Sequence, residues 1–143
     1  MESQIFLAYI LAPGHICFLE DGQRQALIEK RIPIEICLTS NVLTRSVFSY
    51  ETHHFSEYYR EGAQLSLCTD DQSVFRTCLS REFFHALNWL SLNEEQTISL
   101  IRQSADYIFA SEAEKEKVRK TIASRLQRLG NISGRGMSVS SKL

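Results

Sequence analysis

The chain has 143 residues, 43% hydrophobic and 23% charged, with a formal net charge of −1, which is one globular domain's worth or a piece of a larger one. So small a charge provides no field to gather a nucleic-acid polymer or an anionic membrane, and small molecules, mononucleotides included, stay open as partners. The four cysteines, Cys17, Cys37, Cys68 and Cys78, contain no Cys-x-x-Cys and read as reduced thiols of a cytoplasmic protein, not as zinc ligands or a disulfide framework.

Residues 5–11 are continuously apolar, as in a strand buried on both faces. The run is too short to span a bilayer, and it follows Glu2 with no basic start, so it is a poor signal peptide. It leads to Gly14-His15. Residues 23–30 read as a short helix with Ala26 and Leu27 on its apolar side. Next, Ile32, Ile34, Ile36 and Leu38 alternate with Pro33, Glu35 and Cys37, the period of a strand. Pro33 sits near the strand start, where a missing donor costs least, and the strand ends in Thr39-Ser40-Asn41. Residues 53–61 read as a helix stopped by Gly62. Ala63, Leu65 and Leu67 then alternate over a strand at 63–69 that ends in Asp70-Asp71.

The rest reads as helical. Phe83, Phe84, Leu87 and Leu90 form a stripe over residues 80–90. Asn93 with Gln96 and Ser111 with Glu114 have capping-box spacing. Behind them come the stripes Ile98, Ile101, Ala105, Ile108 and Val118, Ile122, Leu126. All of these stripes read as core. From Gly130 the chain is Gly- and Ser-rich and reads as a disordered tail, residues 130–143. It ends in Ser141-Lys142-Leu143, which has the form of a peroxisomal import signal.

Strands starting near residues 5, 32 and 63, with a helix in each gap, have the rhythm of βαβ units in a parallel sheet. Chemistry in such folds sits at the carboxyl ends of strands. Those ends carry Gly14-His15, Ser40-Asn41 and Asp70-Asp71, which suggests one shared site. Adjacent carboxylates there can divide labour, although acidic pairs are also common in solvated turns.

Several segments together resemble the adenosine deaminase family, in particular its branch acting on N(6)-methyl-AMP. They are Ile34-Glu35-Ile36-Cys37-Leu38-Thr39-Ser40-Asn41-Val42, His53-His54-Phe55, Cys68-Thr69-Asp70-Asp71, Val74-Phe75, Leu79-Ser80-Arg81-Glu82 and Tyr107-Ile108-Phe109-Ala110-Ser111. The resemblance runs from about Gly14 to about Ile122. It implies an α/β fold comprising about three of the eight strand–helix units of a TIM-type (βα)8 barrel, followed by C-terminal helices. Residues 1–129 would be the C-terminal portion of that domain. It implies one zinc ion, with Asp70 as a metal ligand, Asp71 as the acid that hydrogen-bonds the purine, and His15 as the catalytic histidine at the end of the sixth strand. A zinc-coordinated water, its pKa lowered towards 7, would supply the nucleophile for carbon 6 of the purine. The implied partner is a purine nucleoside or nucleotide, with N(6)-methyl-AMP to IMP the favoured conversion.

The family's His-x-His on the first strand and His-x-x-Glu at the fifth are absent. His54-Phe55-Ser56-Glu57 has the second spacing, but its flanks match the helix before the last strand. The family's Arg-x-Gly-His-Gly is reduced to Gly14-His15, and Ser73 stands where a glycine usually follows the paired acids. The expectation is therefore a C-terminal fragment of a zinc-dependent purine deaminase, inactive alone. Its open barrel interior would expose Ile and Leu side chains and associate with another chain. The alternative is a non-catalytic adenosine deaminase-like protein that binds a purine or a protein partner.

Overall fold

The computed structural model describes residues 19–136, with side chains to residue 129. The chain divides into two compact units, Met1–Leu100 and Ile101–Leu143. The first strand expected at 5–11, together with His15, Cys17 and Ser141-Lys142-Leu143, lies outside the described residues.

Within the first unit the order is α1 (Asp21–Glu29), β1 (Ile34–Ile36), α2 (Leu38–Leu43), α3 (Phe55–Arg60), β2 (Leu65–Leu67), α4 (Gln72–Phe75) and α5 (Leu79–Trp89). Then α6 (Glu94–Ser104) spans the boundary in sequence, and α7 (Glu112–Gly136) belongs to the second unit. β1 and β2 pair in parallel with Ile34 opposite Leu65 and Ile36 opposite Leu67. The ladder extends through Ile34 N–H to the Gln64 carbonyl (2.8 Å) and Cys68 N–H to the Ile36 carbonyl (2.8 Å). Both strands are shorter than the seven-residue alternations. Pro33 has no N–H to offer a ladder, and α2 starts at Leu38, so Thr39-Ser40-Asn41 lie in a helical turn and not on a strand end.

Alternation turns Ile34, Ile36, Leu65 and Leu67 to one face, and all four are buried. They pack with Leu27, Leu38, Phe55, Tyr58, Ala86, Leu90, Leu92 and Leu100 in one cluster. For the two described strands, the expectation that an open barrel would expose strand Ile and Leu is thereby corrected. The aliphatic face lies under helices, while Glu35 and Ser66 take the other face. Exposed apolar residues lie elsewhere and include Leu43 and Phe48 after β1, Val74 in α4, and Phe84 and Leu87 in α5.

The last two also correct the stripe read from the sequence. The side of α5 that meets the core carries Glu82, Ala86 and the half-buried Phe83, with Leu90 at its end. A charged and a small residue at its centre disguised it. Gly62 behaves as expected. At φ +80° it ends α3 in a Schellman motif, with Gly62 N–H bonding the Tyr59 carbonyl (3.2 Å) and Ala63 N–H the Tyr58 carbonyl (3.0 Å). Arg24 of α1 reaches Glu57 of α3 and Glu61 at its C-cap at 3.1 Å each, tying the two helices beside the sheet.

In the second unit α7 starts in a capping box, Ser111 N–H donating to the Glu114 carboxylate (2.9 Å) and Glu114 N–H to Ser111 Oγ (3.4 Å). Asn93 and Gln96 form the same reciprocal pair at 2.8 Å before α6. Arg119 is held by Asp106, Glu112 and Glu116. The backbone of α7 stays helical to Gly136, past the Gly130 at which a tail was expected to begin. Among the described residues no helix is long and apolar enough to cross a membrane.

Candidate active site

The carboxyl ends of β1 and β2 open on the same side, as zero-offset parallel register requires. Three residues past β2, Asp70 takes φ +56°, a left-handed conformation uncommon for a residue with a Cβ and concentrated at functional positions. Its Oδ2 accepts a 2.8 Å hydrogen bond from Ser40 Oγ, from the first turn of α2. The structure thus brings together two residues that the sequence separates by thirty positions and that the shared-site reading placed at one end of the sheet. Asp70 is exposed and Ser40 buried. The hydroxyl therefore anchors the carboxylate from below.

Asp71 is the N-cap of α4. Its Oδ1 accepts from the backbone N–H of Ser73 (2.9 Å) and Val74 (3.0 Å), a strongly preferred capping arrangement. One of its oxygens therefore serves the local fold, and the same bonds fix the orientation of an exposed carboxylate beside Asp70. Ser73, which stands in the place of a glycine, contributes its amide to this turn.

Glu82, which the sequence reading missed as a site-building residue, lies beneath the loops. It has 0% exposure. Its carboxylate accepts from Thr39 N–H (3.0 Å), Thr39 Oγ (2.5 Å) and Thr77 Oγ (2.5 Å). Thr39 precedes Ser40, and Thr77 closes the segment that began at Asp70. One buried carboxylate thus clamps the exits of both strands. Its traces in the sequence are its place in the matching Leu79-Ser80-Arg81-Glu82 segment and its position one turn into a helix, on a side that looks too polar to be core.

Cys37 and Cys68 follow the in-register pair Ile36 and Leu67. Burial foremost, then the neighbouring Cys68 and Asp70 charges, push the Cys37 thiol up to about 12, against a backbone hydrogen bond from Asp70. Burial also raises Cys68, with Glu35 adding to it. Both are neutral thiols at physiological pH.

The histidines of the His53-His54-Phe55 block lie at the start of α3. His53 is 2% exposed, and its Nδ1 accepts from Phe55 N–H at 3.0 Å. Burial, aided by His54, lowers it to about 3. His54 packs at a tilt against His53 and meets Tyr58 edge-on, and burial lowers it to about 4 against the pull of Glu57. Both are packed neutral rings. His85 stacks on Tyr50.

Asp70 suits a divalent metal by donor type, exposure and position. Among the described residues, however, no group of three or more His, Cys, Asp or Glu side chains is gathered to hold an ion. These residues alone do not make a zinc centre.

Comparison with known proteins decides the family. The adenosine deaminase family model matches residues 16–125. The chain belongs to the adenosine deaminase family. Relatives include the N6-mAMP deaminase of Arabidopsis thaliana, 43% identical over 74% of this chain and 30% of that protein. The N6-methyl-AMP deaminase of Homo sapiens is 40% identical over 83% and 36%. Among solved structures, Arabidopsis ADAL complexed with GMP superposes with a TM-score of 0.80 at 39% identity, over 87% of this chain and 37% of that one. The same protein complexed with IMP gives 0.79 at 40%, over 86% and 36%. The chain spans about a third of the length of the relatives it matches.

Proposed function

We propose that this chain supplies the closing strand ends of a zinc-dependent purine deaminase that removes the 6-amino or 6-methylamino group of an adenosine- or AMP-type substrate, N(6)-methyl-AMP to IMP being the favoured reaction. The observation that carries the reading is the Ser40–Asp70 hydrogen bond, at the end of a parallel pair where (βα)8 enzymes place their chemistry. The barrel, with this chain as its last three units, belongs to the same reading, and the nucleotide complexes of the Arabidopsis relative support a nucleotide ligand.

Asp70 would be one zinc ligand, the others coming from outside the described residues. Zinc, when bound, supplies Lewis-acid activation of water at neutral pH. Ser40 orients the Asp70 carboxylate, so that it need not be ordered when the site assembles. Asp71, held by the Ser73 and Val74 amides, presents a hydrogen-bond acceptor to a purine ring. His15, outside the described residues, would by the family resemblance be the catalytic histidine that steadies the activated water. Hydrolysis at carbon 6 also needs a proton carrier within hydrogen-bond reach of the leaving nitrogen, the role of the family's glutamate in His-x-x-Glu, and no residue here matches it.

The test follows purine absorbance with N(6)-methyl-AMP and zinc. The 143-residue chain alone is expected to give no turnover. Mixed with a polypeptide carrying the His-x-His and His-x-x-Glu elements of a relative, it should turn over in a manner abolished by Asp70→Ala. Complemented turnover indifferent to Asp70→Ala would refute the proposal. Nucleotide binding by this chain without turnover in any mixture would favour the non-catalytic reading.

A further inference from the structure

The paired register ends at Ile36 opposite Leu67, the Cys68 N–H to Ile36 carbonyl bond (2.8 Å) closing that last pair. Cys37, at the N-cap of α2, and Cys68 are the next residue on each strand. Adjacent strands run about 4.8 Å apart, within the Cα separation over which two cysteine side chains can be bridged. Ile36 and Leu67 both turn into the core, so alternation sends both thiols to the opposite face, with Glu35 and Ser66. Cys68 Sγ lies 3.9 Å from Ser66 Oγ, on that face. Both cysteines are free. Cys37 is buried and Cys68 half-buried, so the pair is approached from the Cys68 side.

We propose that Cys37 and Cys68 form a two-thiol binding site for a soft, thiophilic electrophile that takes two sulfur ligands, trivalent arsenic being the type. Two thiols on neighbouring strand ends are the donor set that this class needs. Zinc and cadmium favour four donors, whereas an organoarsenic(III) oxide needs two thiols and brings its own third substituent. The step balances without an outside oxidant or base. Two S–As bonds form and the As–O bond breaks. The oxygen leaves as water with both thiol protons, and arsenic stays trivalent. Because Thr39-Ser40 and Asp70 follow these cysteines directly, the bridge ties together the two exits that carry the Ser40–Asp70 pair. The site requires no purine chemistry, so it stands or falls independently of the deaminase reading.

The experiment treats the native 143-residue chain with one equivalent of phenylarsine oxide, then with excess glutathione, and measures intact mass. The expected product carries one phenylarsenic group, resists the monothiol and is released by a small dithiol. Denaturation, alkylation and peptide mapping should then find Cys37 and Cys68 blocked and Cys78 open. Cys37→Ser and Cys68→Ser should each lose the glutathione-resistant adduct, and Cys78→Ser should keep it. If a variant fails to fold, the wild-type map decides. No resistant adduct, or one that engages Cys17 or Cys78, overturns the proposal.

Discussion

Replacing Glu82 probes the clamp under both strand exits. In Glu82→Ala, Thr39 N–H loses its partner in a fully buried place. The Thr39 and Thr77 hydroxyls, 3.4 Å apart, can offset part of their loss by bonding each other. A buried donor left unsatisfied costs about 1–3 kcal/mol, and each hydrogen bond to a carboxylate is worth about 1.5–3 kcal/mol. The expected loss is therefore about 3–5 kcal/mol, a large part of the roughly 5–15 kcal/mol that holds a domain folded. Glu82→Gln keeps an oxygen for Thr39 N–H, and both hydroxyls can turn to accept from the amide nitrogen, so about 1–2 kcal/mol is expected. Urea unfolding followed by circular dichroism reads this directly. With a slope of roughly 1.5 kcal/mol per molar, the alanine variant should lose about 2–3 M in midpoint and the glutamine variant about 0.7–1.3 M. An alanine variant within about 0.5 M of the parent would refute the reasoning, as would a glutamine variant no better than alanine.

Acid should destabilise the first unit through His53. Its folded value of about 3 lies below the ordinary 6.5, so the unfolded chain binds the extra proton between those values. Stability is complete above pH 6.5 and falls toward pH 3, at up to about 1.4 kcal/mol per pH unit. His53→Asn retains an acceptor for Phe55 N–H and should flatten the decline of the urea midpoint between pH 6.5 and 4.5; an unchanged slope would count against the assignment. Gly62→Ala places a Cβ where nothing lies within 4 Å but φ is +80°. Backbone strain alone should then lower stability by about 1 kcal/mol, and a thermal melt that does not move would contradict it. Residues 130–143 fused to a fluorescent protein are expected to reach peroxisomes through Ser141-Lys142-Leu143; diffuse signal unaltered by deleting Leu143 would end that idea.

The parts legible in the sequence are those written in local chemistry. Period-two alternation located both described strands, each of them three residues inside a seven-residue expectation, Gly62 marked a real helix end, and both capping boxes formed as spaced. Ser40 and Asp70 met because a shared strand end needs only topology. The parts that were hidden depend on contacts far apart in the chain. The buried side of α5 was masked because Glu82 is core by virtue of Thr39, 43 positions away. Phe84 and Leu87 looked like core because hydrophobicity alone does not say which helix face meets the sheet. His53 was legible only as part of a matching segment, and its use as an acceptor for Phe55 N–H needed three-dimensional geometry.

The Schellman turn after α3 also acts as a ruler. From Gly62 only Ala63 and Gln64 intervene before β2, so the helix end and the strand register are set by one short count of residues. A single insertion there would advance Asp70 by about 3.3 Å and exchange the faces of Leu65 and Leu67 with that of Ser66. The Ser40–Asp70 bond tolerates only a few tenths of an ångström, so it could not survive the step. The longer connection between α2 and α3 touches no such count. Length variation among relatives should therefore collect in residues 44–54 and be absent from 61–64, a pattern that an alignment by length alone would reveal.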